Sequence, residues 1–342
     1  MRHVLKPLAV TQGDPAGIGL EITLKVWLER KKEPVRPFFL LSDPTFVART
    51  AHMLDLPVSI KSVDPSSAWS AFDSALPIVP LEQTVHVDRL GVPNRSTASA
   101  IRESIAKAAA MVQTGQAGAM VTNPIAKYIL SGPDFPYRGH TDYLAALADP
   151  HSGSDLTPIM LLWSPQLAVV PVTVHQSLRA VSDSLSQEKI ERIARGVAHD
   201  FNRLFNIPRP RIAITGLNPH AGEEGLLGDE EICIITPAIA NLIKEGFHVT
   251  GPHAADTLFH EAARKHYDVA IAMYHDQALI PIKTLAFGQS VNVTLGLPFV
   301  RTSPDHGTAF SIAGQGVASC VSLRSALRLA ERLADHIHRS SS

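Results

Sequence analysis

Leu8-Ala9-Val10-Thr11-Gln12-Gly13-Asp14-Pro15-Ala16-Gly17-Ile18-Gly19 joins a short apolar run to the first helix through a glycine-rich turn. Strand, tight turn and helix in that order form the repeating unit of an α/β fold. The same pattern recurs along the chain. Apolar runs at Phe38–Leu41, Ala119–Thr122, Ile159–Trp163, Leu167–Val172, Arg211–Thr215, Val269–Met273 and Val291–Leu295 read as further strands. Several are apolar at consecutive positions, as expected of strands covered on both faces in a mainly parallel sheet. Three stripes at three- and four-residue spacing predict helices. They are Ala98, Ile101, Ile105, Ala108 and Val112; Ile190, Ile193, Val197, Phe201 and Leu204; and Leu323, Ala326, Ala330, Leu333 and Ile337. Asp43-Pro44 reads as an N-cap followed by proline at the first helical position. Pro57 to Pro93, richer in proline and serine, is expected to hold loops and short edge strands.

The chain has 342 residues, which suggests two domains of about 100–200 residues each. No low-complexity linker separates two halves, so the first α/β domain is expected to be discontinuous, residues 1–124 plus 305–342. The second is expected over 125–304. Hydrophobic residues make up 45% and charged residues 18%, a balance that supports a large core and excludes wholesale disorder. Lys+Arg number 31 against 32 Asp+Glu, which argues against nucleic acid or an anionic membrane as the main partner. No apolar run approaches the ~20 residues of a membrane span. The start, Met1 to Pro7, shows no apolar leader region, so a cytoplasmic location is expected. Cys233 and Cys320, the only cysteines, exclude a disulfide framework and a cysteine-rich zinc site.

Sixteen histidines make any single one uninformative, but three share a setting. His175 follows Val169–Val174, His220 follows the strand ending at Thr215, and His275 follows Ala270–Tyr274. Each sits just past the carboxyl end of a buried strand, the edge where open α/β sheets bind ligands. Taken singly, each is most simply a loop or cap histidine. Together, three neutral imidazoles there suit a divalent metal with a coordination position left open. The glycines of the first turn run G-x-x-x-G-x-G, which is neither the G-x-G-x-x-G dinucleotide fingerprint nor a phosphate loop. That turn reads equally as ligand-facing or purely structural. Lys283, Asn292 and Arg301 recur at nine-residue steps around a strand, and the two cations suit a phosphate or carboxylate. As isolated residues they would be solvated surface groups. His140-Thr141, with Asp142 next, reads as a helix start that is either a simple cap or a polar ligand contact. Ser152-Gly153-Ser154 and Ser303-Pro304 lack the G-x-S-x-G elbow, which leaves hydroxyl nucleophile catalysis with little support.

Several stretches together resemble one family. They are Thr11–Gly19, Gly139-His140-Thr141, Asn218–Glu223, Gly251-Pro252 with Ala255–Phe259, Met273–Gln277, and V-N-V-T-L-G-L-P-F-V-R-T-S-P-D-H-G over residues 291–307. They are similar, in the expected order from about residue 8 to 316, to the 4-hydroxythreonine-4-phosphate dehydrogenases of pyridoxine biosynthesis. One departure is Leu20, where the family commonly has proline. The resemblance implies two α/β/α domains of the isocitrate/isopropylmalate-dehydrogenase-like class, with the active site in the interdomain cleft and at the interface of a homodimer. It implies His175, His220 and His275 as metal ligands, His275 reaching the partner's site. His140, Thr141, Lys283, Asn292 and Arg301 match the substrate-binding positions, and Asp256 and Lys283 are the candidates for general base. Thr122–Lys127 varies in the family and takes no role.

The implied cofactors are NAD or NADP and a divalent zinc, cobalt or magnesium ion. The implied reaction oxidises C3 of 4-phosphohydroxy-L-threonine to a β-keto acid, which decarboxylates to 3-amino-2-oxopropyl phosphate. Related enzymes act on phosphorylated threonate or erythronate, or on cis-dihydrodiols, so the resemblance implies the reaction type more closely than the substrate. A phosphate-handling acyltransferase and a non-catalytic metal-dependent binding protein are the alternatives from other classes.

Overall fold

The computed structural model describes residues 5–132, 135–137, 139–148 and 157–340. Residues 1–4 and 152–154, used in the sequence reading, lie outside these. The strands in chain order begin with β1 (Leu8–Thr11), β2 (Phe38–Ser42), β3 (Ile60–Ser62), β4 (Leu76–Pro80) and β5 (Met120–Val121). Then come β6 (Ile159–Trp163), β7 (Ala168–Thr173), β8 (Ile212–Thr215), β9 (Val249–His253), β10 (Val269–Tyr274), β11 (Val291–Leu295) and β12 (Arg301–Pro304). The chain forms two compact units, Met1–Pro158 with Leu297–Asp335, and Ile159–Gly296 with His336–Ser342.

In the first unit the strand order is β3-β4-β2-β1-β5-β12 and every pairing is parallel. β1 and β2 are buried along their whole length, which is why they read as unbroken apolar runs. The helix Ala98–Gln113 buries Ile101, Ile105 and Ala108 in one cluster with Phe39, Leu41 and Met120. Leu144, from the helix His140–Ala148, joins the same cluster. That packing ties residues beyond 124 to the first unit. The units change over at 158/159 and 296/297, where the sequence had suggested 124/125 and 304/305.

In the second unit the order is β11-β6-β7-β10-β8-β9. β7, β10, β8 and β9 are parallel, while β6 runs antiparallel to both β7 and β11. The exception has a local cause. β6 and β7 are joined by a tight turn, closed by Ser164 N donating to Leu167 O at 2.8 Å, which leaves no room for a crossover helix.

All three helical stripes form helices: Ala98–Gln113, Gln187–Phe205 and Val321–Ser340. The second is bounded by local chemistry. The Ser186 hydroxyl accepts from Lys189 N at its start, and Asn206 takes the left-handed conformation, φ 56°, at its end. Asp43 caps the helix Pro44–Met53 as expected, accepting from Thr45 N at 2.8 Å. Sequence did not reveal β3, β4, β9 or β12 as individual strands. Pro57–Pro93 does contain a short edge strand, β3, but β4 lies one place further in, with Leu76 and Ile78 fully buried. Its prolines at 77 and 80 disguise it as loop. β12 is hidden because its buried residues are Arg301, Thr302 and Ser303 rather than an apolar run.

Candidate active site

Arg301 opens β12 and is 5% exposed. Beside it runs β5, whose continuation places Thr122 so that its N–H donates to Thr302 O at 2.9 Å. The Thr122 hydroxyl accepts from Arg301 Nε at 3.1 Å and from Nη2 at 2.6 Å. Burial pushes the guanidinium down to about 10, which still leaves it charged at neutral pH. Nη2 also lies 3.5 Å from His140 Nδ1. His140 begins its helix, with Thr141 half-buried next to it and Asp142 in the first turn, as the sequence suggested.

Burial, and then the positive charge of Arg301, hold His140 well below the usual histidine range. The ring is therefore neutral at pH 7. A guanidinium is purely a donor, so Nδ1 accepts and the ring proton sits on Nε2. Nε2 is buried and has no hydrogen-bond partner among the described residues. A buried cationic fork and a neutral N–H donor thus stand together, a combination suited to an anion.

The glycine turn is built from within. Gly13 has φ +72°, and a Cβ there would lie 2.7 Å from Asn123 Cβ. Asn123 Nδ2 donates to Thr11 O and to Thr23 Oγ1, which clamps the end of β1 to the helix Gly19–Glu29. Asp14 Oδ1 accepts from Ala16 N, and burial pushes this carboxyl upward. Gln12 and Asp14 are both buried, so the structural reading of this turn accounts for its glycines.

In the second unit the three histidines follow three strands that are neighbours in the order β7-β10-β8. Cross-strand bonds lock their carboxyl ends. The Thr173 hydroxyl donates to Met273 O at 2.8 Å, and Gln277 Oε1 accepts from Met273 N and from the Thr215 hydroxyl, both at 2.7 Å. His175 sits just past β7 in the left-handed region, φ 45°. His275 opens the helix His275–Ala286, and its Nδ1 lies 2.7 Å from Asp276 Oδ1. A carboxylate on one ring nitrogen leaves the other, Nε2, as the nitrogen that could ligate a metal. The rings of His175 and His275 are 6.0 Å apart.

His220 lies in the Pro219–Gly225 segment, where His220, Ala221, Gly222, Glu223 and Glu224 all have positive φ. Buried Glu231 holds the entry to this strained segment, accepting from Leu217 N and Asn218 N at 2.7 Å each. Among the described residues, no three His, Cys, Asp or Glu side chains group closely enough within one chain to hold a metal. The donor types fit a divalent ion, but among the described residues the three histidines do not close on one point within a single chain. Lys283, half-buried, lies on the His275–Ala286 helix, Asn292 pairs with Leu162 across β11 and β6, and Asp256 is exposed on the short helix Ala255–Leu258. Thr122 and Glu231 were missed from sequence. Each acts through contacts to residues whose proximity no local spacing reveals.

The profile of the family described as "Pyridoxal phosphate biosynthetic protein PdxA" matches residues 34–330. The 4-hydroxythreonine-4-phosphate dehydrogenase of Methylorubrum populi is 54% identical over 330 residues, 96% of this chain and 95% of its own length. That of Bradyrhizobium diazoefficiens is 52% identical over 340 residues, 97% of this chain and 98% of its own. The crystal structure of the Klebsiella pneumoniae 4-hydroxythreonine-4-phosphate dehydrogenase superposes with a TM-score of 0.84 at 37% identity, covering 96% of this chain and 99% of that one. With an α/β fold shared over nearly its full length, this chain belongs to the PdxA family of 4-hydroxythreonine-4-phosphate dehydrogenases.

Proposed function

We propose that this chain oxidises the C3 hydroxyl of 4-phosphohydroxy-L-threonine with NAD or NADP, in a metal-dependent reaction of pyridoxal phosphate biosynthesis in the cytoplasm. The product is a β-keto acid that loses carbon dioxide to give 3-amino-2-oxopropyl phosphate. The relatives' activity supports the reaction, and the buried Arg301–Thr122–His140 group supports a phosphorylated substrate.

In this reading Arg301 and the Nε2–H of His140 bind the phosphate, remote from the reacting carbon. Contacts there hold substrate and transition state alike, so they lower KM. Thr141, Lys283 and Asn292 hold the rest of the substrate. His175 and His220, with His275 of the partner subunit in a homodimer, would hold a zinc, cobalt or magnesium ion. Such an ion, when bound, supplies Lewis acidity toward the substrate oxygen, and the nicotinamide accepts the hydride. Lys283 or Asp256 takes the proton from the C3 hydroxyl.

The test is a nicotinamide absorbance assay with 4-phosphohydroxythreonine, phosphothreonate, phosphoerythronate and a cis-dihydrodiol, each with both cofactors. The first substrate is expected to turn over best. A chelator should abolish turnover, and one of the three ions should restore it. Full turnover by a preparation shown to be metal-free would refute the metal reading. Preference for another substrate would reassign the chain to a related dehydrogenase.

A further inference from the structure

We propose that Thr122 is a positioning residue for the substrate's phosphate, acting through Arg301; this rests on the phosphate reading of Arg301 given above. One hydroxyl oxygen accepts from both Nε and Nη2, at 3.1 and 2.6 Å, and so occupies one whole edge of the guanidinium fork. The hydroxyl is itself rigidly carried. Thr122 is fully buried, and its own N–H is bonded to Thr302, the residue after Arg301. That double contact restrains the guanidinium plane at the end of its long side chain. Its Nη2 is kept toward His140 Nδ1, 3.5 Å away, and that contact runs only from guanidinium to imidazole. His140 therefore presents Nε2–H rather than a lone pair. Thr122 in this way sets both the aim of the cation and the tautomer of its neighbour, while the charge comes from Arg301 alone.

Removing the hydroxyl while keeping the shape, as in Thr122→Val, leaves Arg301 Nε without that acceptor in a buried place. The guanidinium plane loses this restraint, and the charge remains but is less well aimed. Anion binding should weaken, with little change in the chemistry at C3.

The experiment uses the metal-loaded enzyme with saturating nicotinamide cofactor. Thr122→Val, Thr122→Ser and Arg301→Ala are compared with wild type in kcat, in KM for 4-phosphohydroxythreonine, and in the inhibition constant of inorganic phosphate. Thr122→Val should raise KM and the phosphate constant in parallel, about tenfold, as expected for losing a hydrogen bond to a charged group. Its kcat should stay within about threefold of wild type. Thr122→Ser, which keeps the oxygen, should restore most of both constants. The proposal is overturned if Thr122→Val leaves the phosphate constant unchanged, or if Thr122→Ser is as impaired as Thr122→Val. If Thr122→Val does not fold, Thr122→Cys carries the same comparison, because a thiol is a far weaker acceptor. Arg301→Ala separates the two readings. If it leaves the phosphate constant unchanged, the phosphate site itself is wrong. If it raises the constant while Thr122→Val does not, only the role of Thr122 falls.

Discussion

His140 couples burial to charge in a way that a titration can read. Its ring is held well below the usual histidine range, first by burial and then by Arg301. An exposed histidine in the unfolded chain takes up its proton near pH 6.5. Between that pH and the lower folded value, the unfolded state binds one more proton than the folded state. Stability therefore falls as pH drops through this window, by about 1.4 kcal/mol per pH unit for this one group. Chemical denaturation at pH 7.5 and 5.5, of wild type and of His140→Gln, isolates the contribution. The wild type should lose more stability on acidification than the variant does. Equal losses would mean that the folded protein carries a charged imidazole beside Arg301, contrary to the neutral tautomer described here.

Single elements are specified mainly by their ends. Ser186 and Asn206 bound one helix, Asp43 starts another, and the turn after β1 is set by Gly13. With φ +72° and a would-be Cβ 2.7 Å from Asn123 Cβ and 2.8 Å from Pro124 O, Gly13 has neither the conformation nor the space for a side chain. Gly13→Ala should destabilise the protein by at least about 1–3 kcal/mol, since backbone strain and a steric clash act together. Gly118→Ala is the control. Its Cβ would meet only ordinary contacts at 3.5 to 3.7 Å and its φ is not positive, so a change within about 0.5 kcal/mol is expected. Comparable losses at both positions, measured by urea unfolding, would show that the turn is not the constraint described. The same element explains the glycine spacing: Gly13 accommodates Asn123, and Gly17 accommodates Thr308 O, 2.9 Å from a would-be Cβ.

For the whole molecule, the arrangement of the three histidines bears on assembly. Among the described residues, His175, His220 and His275 form no closed set of three ligands within one chain. If a dimer shares its sites as proposed, mixing inactive His175→Ala and His275→Ala subunits should regenerate activity. In a heterodimer one site would carry both lesions and the other neither. Random exchange makes half the dimers mixed, so recovery should approach about a quarter of wild-type activity. No recovery after subunit exchange has been verified by mass would place each active site within a single chain. Among the described residues, no helix is long and apolar enough to cross a membrane.

Local periodicity and chain order carried much of this in the sequence itself. Runs of buried apolar residues marked eight strands, stripes at helical spacing marked three long helices, and strand ends marked His175, His220 and His275. The helices are legible because a helix that buries one face repeats its apolar positions at its own period, and the strands because burial on both faces leaves an unbroken apolar run. Arg301 was recognisable as a candidate anion ligand, but its surroundings were not. Thr122 lies 179 residues away in the chain, and only the parallel pairing of β5 with β12 brings the two together. The neutral state of His140 likewise depends on burial that the chain acquires on folding, and Glu231 meets the N–H groups of Leu217 and Asn218 only once the intervening segment has folded back. Sequence determined the eight apolar strands, the three long helices and the polar residues that punctuate them, because those follow from local chemistry. Tertiary structure alone decided which distant donors and acceptors meet, because sheet order and register set those distances and no local spacing encodes them.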